Sequence, residues 1–245
     1  MEAAKAKSIK IVSKLGADCL KGISRKDYKK SISEEASKSC RALNVNKLDG
    51  YLLHDPQYLY EPETLAALNE LKKEGHIENI GVSVYSQEDA MFAAHSSLID
   101  YIQVPYNALD NRLDRNGFFE LAQINKKTIF ARSVFLQGLL LMTPEAVPRH
   151  IESARDSIRR FRGICDEAGY DYVNGSLAYI KANNAIDYLV FGANDVGQLA
   201  EIVAGYNSID KVAESFIIRI VDRMIFRETP HFHFCFLQNG KPKSS

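Results

Sequence analysis

Residues 62–84 read PETLAALNELKKEGHIENIGVSV, and this stretch contains a helix and a strand of one α/β unit. Pro62 is tolerated in the first turn of a helix and Gly75 can end one, so the sequence predicts a helix over Glu63–Glu74. The run Ile77–Val84 is short, apolar and rich in β-branched residues, as buried strands are. A helix followed directly by such a run is typical of a parallel sheet covered by helices.

Runs of the same kind recur along the chain and alternate with stretches that have the helical period. In two of these stretches the apolar residues fall on one helical face: Ile32, Ala36, Cys40 and Leu43 in one, and Ile151, Ala154, Ile158, Phe161, Cys165 and Ala168 in the other. The predicted strands are Ile9–Lys14, Leu48–His54, Ile77–Val84, Ile99–Tyr106, Thr128–Val134 and Ile186–Gly192. Their spacing of roughly 35 to 40 residues is the size of a βαβ repeat.

The number of units predicts an incomplete barrel of the α/β class. A complete (β/α)8 TIM barrel takes about 250 residues or more, whereas the 245 residues of this chain contain only six predicted units. No linker rich in Gly, Pro or Ser divides the chain, so we expect one domain over 1–226 and an irregular tail over 227–245. In that tail His231 and His233 alternate with phenylalanines. A short strand or a disordered end is favoured there over a metal site, because structural zinc almost always takes four ligands.

Charge and composition narrow the class of function. Lys+Arg and Asp+Glu both total 31, so no net field draws the chain to nucleic acid or to an anionic membrane. The start, MEAAKAKSIK, has no apolar signal region, and no apolar run reaches the ~18 residues that a bilayer requires. The four cysteines show no C-x-x-C spacing, which suits reduced thiols. We therefore predict a cytoplasmic protein that acts on a small neutral or weakly charged molecule; the oligomeric state is not indicated.

Polar or glycine residues stand at or near the carboxyl end of every predicted strand, where parallel α/β folds bind their ligands. Each has a plain alternative, because a strand-end histidine is more often a hydrogen-bonded core residue and a strand-end lysine is often merely solvated. Their recurrence at six successive strands predicts one shared mouth. The positions are Lys14, His54, Ser83, Gln103, Arg132 with Ser133, and Gly192.

Several motifs follow one another between Ile9 and Ala204. They are I-V-S-K, Y-L-L-H-D-P, L-x-x-L-K-K-E-G-H-I-E-N-I-G-V-S, Q-V-P-Y-N, R-S before L-Q-G, and V-F-G-A-N-D-V-G-Q-L-A-E. In this order they resemble the aldo/keto reductases, and Leu65–Ser83 is the most specific part. The resemblance implies a (β/α)8 barrel that binds a nicotinamide cofactor, NADP or NAD, in extended form. It also implies an oxidoreductase acting on a small-molecule carbonyl or alcohol.

The resemblance also implies a role for each matching position. Lys14 resembles the lysine that lowers the pKa of a proton-donating tyrosine, and His54 the histidine that orients the substrate carbonyl. A buried cation near a phenol brings its pKa from ~10 towards neutrality, where a general acid works. The expected cofactor contacts are Ser83 and Gln103 to the carboxamide, Arg132 against the nicotinamide ring, Ser133 at the pyrophosphate, and Gly192, Asn194, Gln198 and Glu201 at the adenosine end.

The family's proton donor has no matching position. It is a tyrosine five residues after an aspartate and lies before the lysine strand, yet only thirteen residues precede Lys14. Asp55 and Tyr60 have the spacing but follow the histidine strand, so we interpret that pair as coincidence. We therefore expect a barrel lacking its first two β/α units, a truncated gene product or isoform, with catalysis weakened by about 10² to 10⁴ or absent. The alternative is a catalytically inactive scaffold that serves as a binding or regulatory protein.

Two further departures concern the cofactor. Val84 stands where the family usually has asparagine, which predicts the loss of one carboxamide hydrogen bond. Asn194 and Asp195 stand where many NADP-preferring members have a basic residue, and an acid repels a 2′-phosphate, which favours NAD.

Gly192–Gly197 has P-loop spacing but continues with glutamine and leucine in place of lysine and Ser/Thr, which excludes an NTPase.

Overall fold

A parallel sheet forms the centre of the molecule. The computed structural model describes residues 9–224, so the predicted tail 227–245, with His231 and His233, lies outside the described residues. All neighbouring strands are parallel and follow sequence order, β1-β2-β3-β4-β5-β6. The strands are β1 (Val12–Leu15), β2 (Gly50–Leu53), β3 (Ile80–Ser83), β4 (Tyr101–Pro105), β5 (Thr128–Arg132) and β6 (Tyr188–Val190). Each lies within or at the edge of a predicted run, which confirms an α/β fold.

Helices connect the strands and follow β6. They are α1 (Tyr28–Leu43), α2 (Pro62–Lys73), α3 (Gln87–His95), α4 (Phe118–Ile124), α5 (Arg155–Ala168), α6 (Tyr172–Lys181), α7 (Val196–Ser208) and α8 (Glu214–Arg223). Short 3-10 helices occur at Arg25–Asp27, Pro56–Tyr60, Arg112–Arg115, Leu136–Leu141, Pro144–Ala146 and Arg149–Ala154. Helix α2 confirms the helix predicted at Glu63–Glu74: Pro62 is its first residue, and Gly75 beyond its end has a φ of +81°. The apolar stretch from Ile151 becomes regular α-helix only at Arg155.

The outer face of the sheet packs against the helices. Successive side chains of a strand point to opposite faces, and the outward set, which includes Leu15, Leu53 and Val82, is buried with apolar side chains of the helices. Ile32 and Ala36 of α1 are buried as their spacing predicts. The predicted face does not extend to Leu43, which is 47% exposed at the end of the helix.

The inner face of the sheet has a small apolar core of its own. Leu52, Tyr101 and Phe130 are buried together there. Two glycines on neighbouring strands leave space for the tyrosine: a Cβ at Gly50 would lie 2.8 Å from carbon atoms of the Tyr101 ring, and one at Gly81 would lie 2.7 Å from its carbonyl oxygen. Glycine is therefore required at both positions for this close approach. We call this cluster the apolar floor.

The sheet is curled, so that its first and last strands approach each other. The ammonium of Lys10, just before β1, lies 5.8 Å from the ring centroid of Tyr188, the first residue of β6. The same ring stacks on Phe130 at 4.8 Å. Within residues 9–224, β1 and β6 are each paired on one side only. The curl and strand order are those of part of a (β/α)8 barrel.

No helix within residues 9–224 has the length and apolarity needed to cross a bilayer.

Candidate active site

The register of β1 and β2 directs Lys14 and His54 to the same face. Lys14 pairs with Leu52 of the apolar floor. His54 comes two residues after Leu52, and its backbone N–H donates to the Leu15 carbonyl at 3.2 Å, which continues the ladder. Because residues two apart in a strand point the same way, both side chains lie on the inner face at the carboxyl ends of the strands.

Three further strands place candidate side chains on that face. Ser83 of β3 pairs with Gln103 of β4, and Gln103 pairs with Phe130 of β5. Arg132 follows Phe130 by two residues and so shares its direction. The structure therefore brings five of the predicted strand-end side chains to one face, next to the apolar floor: Lys14, His54, Ser83, Gln103 and Arg132. We call this group the mouth; Gly192 of the predicted set is not part of it.

Hydrogen bonds join three of these residues directly. The Lys14 Nζ donates to the Gln103 Oε1 at 2.5 Å, and the Ser83 Oγ donates to the same oxygen at 3.3 Å. An ammonium group can only donate, so the amide oxygen of Gln103 must face it and the amide nitrogen must point elsewhere. Ser83 and Gln103 are 1% and 5% exposed. The pair therefore presents a buried amide and a buried hydroxyl at the mouth.

Two basic side chains of the mouth, Lys14 and His54, have lowered pKa values. Burial, followed by the nearby positive charge of Arg132, lowers the pKa of Lys14 from 10.5 to about 8. Burial also lowers the pKa of His54, with the charges of Lys14 and Arg132 acting in the same direction and Asp55 opposing them. His54 is therefore a neutral imidazole at pH 7, with one N–H that can donate to a substrate oxygen.

Arg132 lies across the ends of three strands. Its Nη2 donates to the Val84 carbonyl at 3.0 Å and its Nη1 to the Ser133 Oγ at 3.2 Å. Its guanidinium carbon lies 4.5 Å from the ring centroid of Tyr85. Burial lowers the pKa of Arg132, but an arginine keeps its charge throughout the physiological range. The neighbour Tyr85 had no signal in the sequence motifs.

The loop that follows Arg132 has an unusual backbone. Ser133, Leu136 and Gln137 have φ values of 61°, 46° and 55°, a left-handed conformation that residues other than glycine rarely adopt. Such strain persists where the surroundings enforce it and often marks functional sites. Asn107, which is buried, donates to the Ser133 carbonyl at 3.2 Å. Asn107 is a supporting residue that sequence reasoning missed, although it ends the motif Q-V-P-Y-N.

The residues expected at the adenosine end lie around the start of α7. The Asp195 carboxylate accepts from the Gln198 backbone N–H at 2.8 Å, and the Asn194 N–H donates to the Gln198 side chain at 2.7 Å. Gly192, Asn194 and Glu201 are exposed. No hydrogen bond or ion pair of the described residues joins this group to the mouth, so the structure does not bring the two predicted parts into contact.

The pair Asp55 and Tyr60 lies elsewhere. The Tyr60 hydroxyl donates to Asp89 of α3 at 2.6 Å, and Asp55 caps the short helix Pro56–Tyr60. Burial and the bond to Asp89 raise the pKa of Tyr60 to about 12, opposite to what a proton-donating tyrosine needs. Within the described range Lys14 donates to Gln103 and to no phenol. No cluster of three or more metal-ligating side chains occurs there either.

A profile of the Aldo/keto reductase family matches residues 2–218. The chain belongs to the aldo/keto reductase family. This aldo/keto reductase chain is 26% identical over 207 residues to the NADH-specific methylglyoxal reductase of Escherichia coli (strain K12), covering 77% of the chain and 63% of that relative. It is 25% identical over 187 residues to the uncharacterized oxidoreductase YqkF of Bacillus subtilis (strain 168), covering 72% and 60%. The chain thus spans about three fifths of the length of these curated relatives.

Solved structures share the fold. The holo form of aldo-keto reductase AKR11C1 from Bacillus halodurans aligns with a TM-score of 0.67 at 22% identity, covering 87% of the aldo/keto reductase chain and 71% of its own. The thermostable aldo-keto reductase Tm1743, solved with the inhibitor epalrestat, aligns with a TM-score of 0.65 at 24% identity, covering 87% and 70%. The parallel sheet and its helices therefore have the same arrangement as in these reductases.

Proposed function

We propose that the chain belongs to an oxidoreductase that transfers a hydride between a nicotinamide dinucleotide, NAD or NADP, and a small aldehyde or ketone. The observation that carries the proposal is the convergence of Lys14, His54, Ser83, Gln103 and Arg132 on the inner face at the carboxyl ends of β1 to β5. A mouth with one amide, one hydroxyl and two cations, Lys14 and Arg132, suits a polar, anionic dinucleotide.

The buried polar pair fits a carboxamide group. A primary carboxamide offers one acceptor oxygen and two donor hydrogens. Lys14 fixes the oxygen of Gln103, so the Gln103 amide nitrogen is available as a donor, and the Ser83 hydroxyl oxygen can accept. Val84 contributes no side-chain donor beside them. We therefore assign Ser83 and Gln103 to the nicotinamide carboxamide, Arg132 to the ring, and Ser133 to the pyrophosphate.

When bound, the nicotinamide supplies or accepts the hydride. The protein residues position the carbonyl and stabilise its charge. His54, held neutral, donates its N–H to the carbonyl oxygen, and the Lys14 ammonium places positive charge where the oxygen becomes negative. Gly192, Asn194, Gln198 and Glu201 stay a proposal for the adenosine end, because the cofactor must extend from the mouth to reach them.

We further propose that two more β/α units close the barrel between β6 and β1 and carry the tyrosine that delivers the proton beside Lys14. Two features of the described residues support this. β1 and β6 each have one paired edge, and the curl brings the amino ends of these strands towards each other. Without a general acid beside Lys14, turnover is expected to be about 10² to 10⁴ lower.

Titration of NADH and NADPH fluorescence against the purified chain tests binding, and consumption of NADH with methylglyoxal as the probe carbonyl tests turnover. We expect saturable binding that Gln103→Leu weakens and Tyr60→Phe leaves unchanged, because Tyr60 contacts Asp89 outside the mouth. Absence of binding to either dinucleotide would sink the proposal.

A binding or regulatory scaffold is the second candidate. It is favoured by one observation, that Lys14 in residues 9–224 contacts an amide and no phenol. The two candidates differ in a single result. Dinucleotide binding without carbonyl turnover, in a protein that includes the two proposed units, would favour the scaffold, and turnover would favour the oxidoreductase.

A further inference from the structure

The aromatic ring of Tyr85 lies against the guanidinium of Arg132. Its ring centroid lies 4.5 Å from the guanidinium carbon. A cation at this distance from a tyrosine ring is attracted by the negative face of the ring. Tyr85 is 42% exposed. None of the roles assigned above uses this residue.

The backbone on both sides of Tyr85 is fixed. The Val84 N–H donates to the Gln103 carbonyl at 2.9 Å and so continues the pairing of β3 with β4. On the other side Ser86 caps α3, its hydroxyl accepting from the Asp89 N–H at 3.0 Å. The backbone of a residue between a strand and a helix cap has little freedom to move, so the position from which the ring extends is fixed.

Three contacts restrain the guanidinium of Arg132. The Val84 carbonyl and the Ser133 hydroxyl accept from it, and the Tyr85 ring lies against it. An arginine side chain has many rotamers, and ordering it upon ligand binding weakens the binding. Contacts that fix the guanidinium in advance avoid that loss.

We propose that Tyr85 is a positioning residue of the nicotinamide subsite, whose ring fixes the Arg132 guanidinium across the ends of β3, β4 and β5 before the dinucleotide binds. The inference rests on the proposed function, because Arg132 needs positioning only if a dinucleotide occupies the mouth. Tyr85 acts through Arg132, so its effect falls on cofactor affinity.

NADH titration of three variants tests this. Tyr85→Leu should weaken NADH binding about tenfold, whereas Tyr85→Phe should bind like the wild type because the ring face is kept. Tyr60→Leu is the matched control: Tyr60 is 47% exposed and contacts Asp89 and Phe92 instead of Arg132. Equal weakening by the leucine and phenylalanine variants at position 85, or none by either, would overturn the proposal.

A double-mutant cycle shows whether Tyr85 acts through Arg132. If it does, Tyr85→Leu should add nothing to the loss caused by Arg132→Met. Independent effects that add in full would contradict the positioning role. Thermal melts of all variants exclude unfolding as the cause of lost binding.

A readout without cofactor separates this inference from the proposed function. The positive charge of Arg132 contributes to the lowered pKa of Lys14, and His54 and the neutral Gln103 are the other described groups at the mouth that face Lys14. If Tyr85→Leu releases Arg132, the pKa of Lys14 should rise, as measured from its 13Cε shift against pH, while Tyr85→Phe leaves it unchanged. A wild-type chain that fails to bind NADH defeats the proposed function, and an unmoved Lys14 pKa in Tyr85→Leu defeats the positioning role.

Discussion

Lys14 holds a positive charge in a largely buried place at the mouth. Its folded pKa of about 8 is below the ordinary value of 10.5, and burial is the main cause. The charged form is thus less stable in the folded chain than in the unfolded one. Between about pH 8 and pH 10.5 the unfolded chain binds more protons than the folded chain, so stability rises with pH in that window. Below about pH 8 the ammonium is charged in both states, so the full destabilisation caused by its burial is present.

We predict that Lys14→Met stabilises the chain at pH 7 by about 1 to 2 kcal/mol, a value reduced to allow for the partial exposure of the ammonium. Its advantage should shrink as the pH rises from about 8 to 10. Urea denaturation at a series of pH values measures both effects. Lys73→Met removes the same charge from an exposed position on α2 and serves as the comparator. A pH-independent advantage would show that the charge is not the cause.

The sequence predicted the residues of the mouth better than their supports. Lys14 ends its predicted run, whereas Ser83 and Gln103 lie late in theirs. The period of two along a strand fixes which way such residues point. Tyr85 and Asn107 each lie two residues beyond the end of a strand, where no period applies. Their contacts depend on the path of the loops, and that path is decided by packing among distant segments.

Helices α5 and α6 meet at a glycine. A Cβ at Gly175 in α6 would lie 2.4 Å from the Cys165 sulfur of α5, whereas a Cβ at Gly163 in α5 would meet nothing within 4 Å. We predict that Gly175→Ala destabilises the chain by about 1 to 3 kcal/mol through overpacking. Gly163→Ala should stabilise it by about 0.5 to 1 kcal/mol, because alanine restricts the unfolded chain and favours the helix. Thermal or urea unfolding of the two variants should give effects of opposite sign.

A partly buried carboxylate connects α6 to the loop after β4. Asp114 accepts from the hydroxyls of Tyr106 and Tyr179 at 2.7 Å and 2.6 Å, and the two rings stack at 5.1 Å. Tyr179→Phe removes one hydrogen-bond partner from this partly buried charge and should reduce stability by about 1 to 3 kcal/mol. Tyr172→Phe is the control, because its hydroxyl bonds to Asp166 at an exposed site. Equal unfolding midpoints for the two variants would show that the hydrogen bonds to Asp114 contribute nothing to stability.

The order of the elements could be predicted, and some of their boundaries could not. Pro62 and Gly75 mark α2 because their backbone chemistry is local. The stretch from Leu136 to Ala154 forms short 3-10 helices, with left-handed backbone at Leu136 and Gln137. Nothing in the composition of that stretch indicates left-handed residues, because tertiary contacts enforce them.

The sheet as a whole is buried unevenly. Every residue of β2 and β3 is buried, whereas β6 begins with an exposed residue and continues with two that are half-buried. Amide hydrogens of β6 should therefore exchange on the order of tenfold or more faster than those of β3. Hydrogen exchange followed by mass spectrometry measures this, and equal protection of the two strands would contradict it. Closure of the barrel by further units should remove the difference.

The fold class could be predicted from the count and spacing of the apolar runs. The curl of the sheet could not be predicted from them. Six runs separated by helices define parallel pairing in sequence order. The approach of Lys10 to Tyr188 depends on the twist accumulated over the whole sheet. No single stretch of sequence encodes it.

Tyr101 of the apolar floor occupies space that side chains at Gly50 and Gly81 on the neighbouring strands would otherwise fill. The volume available to the three residues is fixed, so we expect positions 50, 81 and 101 to vary together among natural sequences. Alanine at position 50 should be accompanied by a smaller side chain at 101, and swapping any one of the three in isolation should be tolerated worse than a compensated exchange.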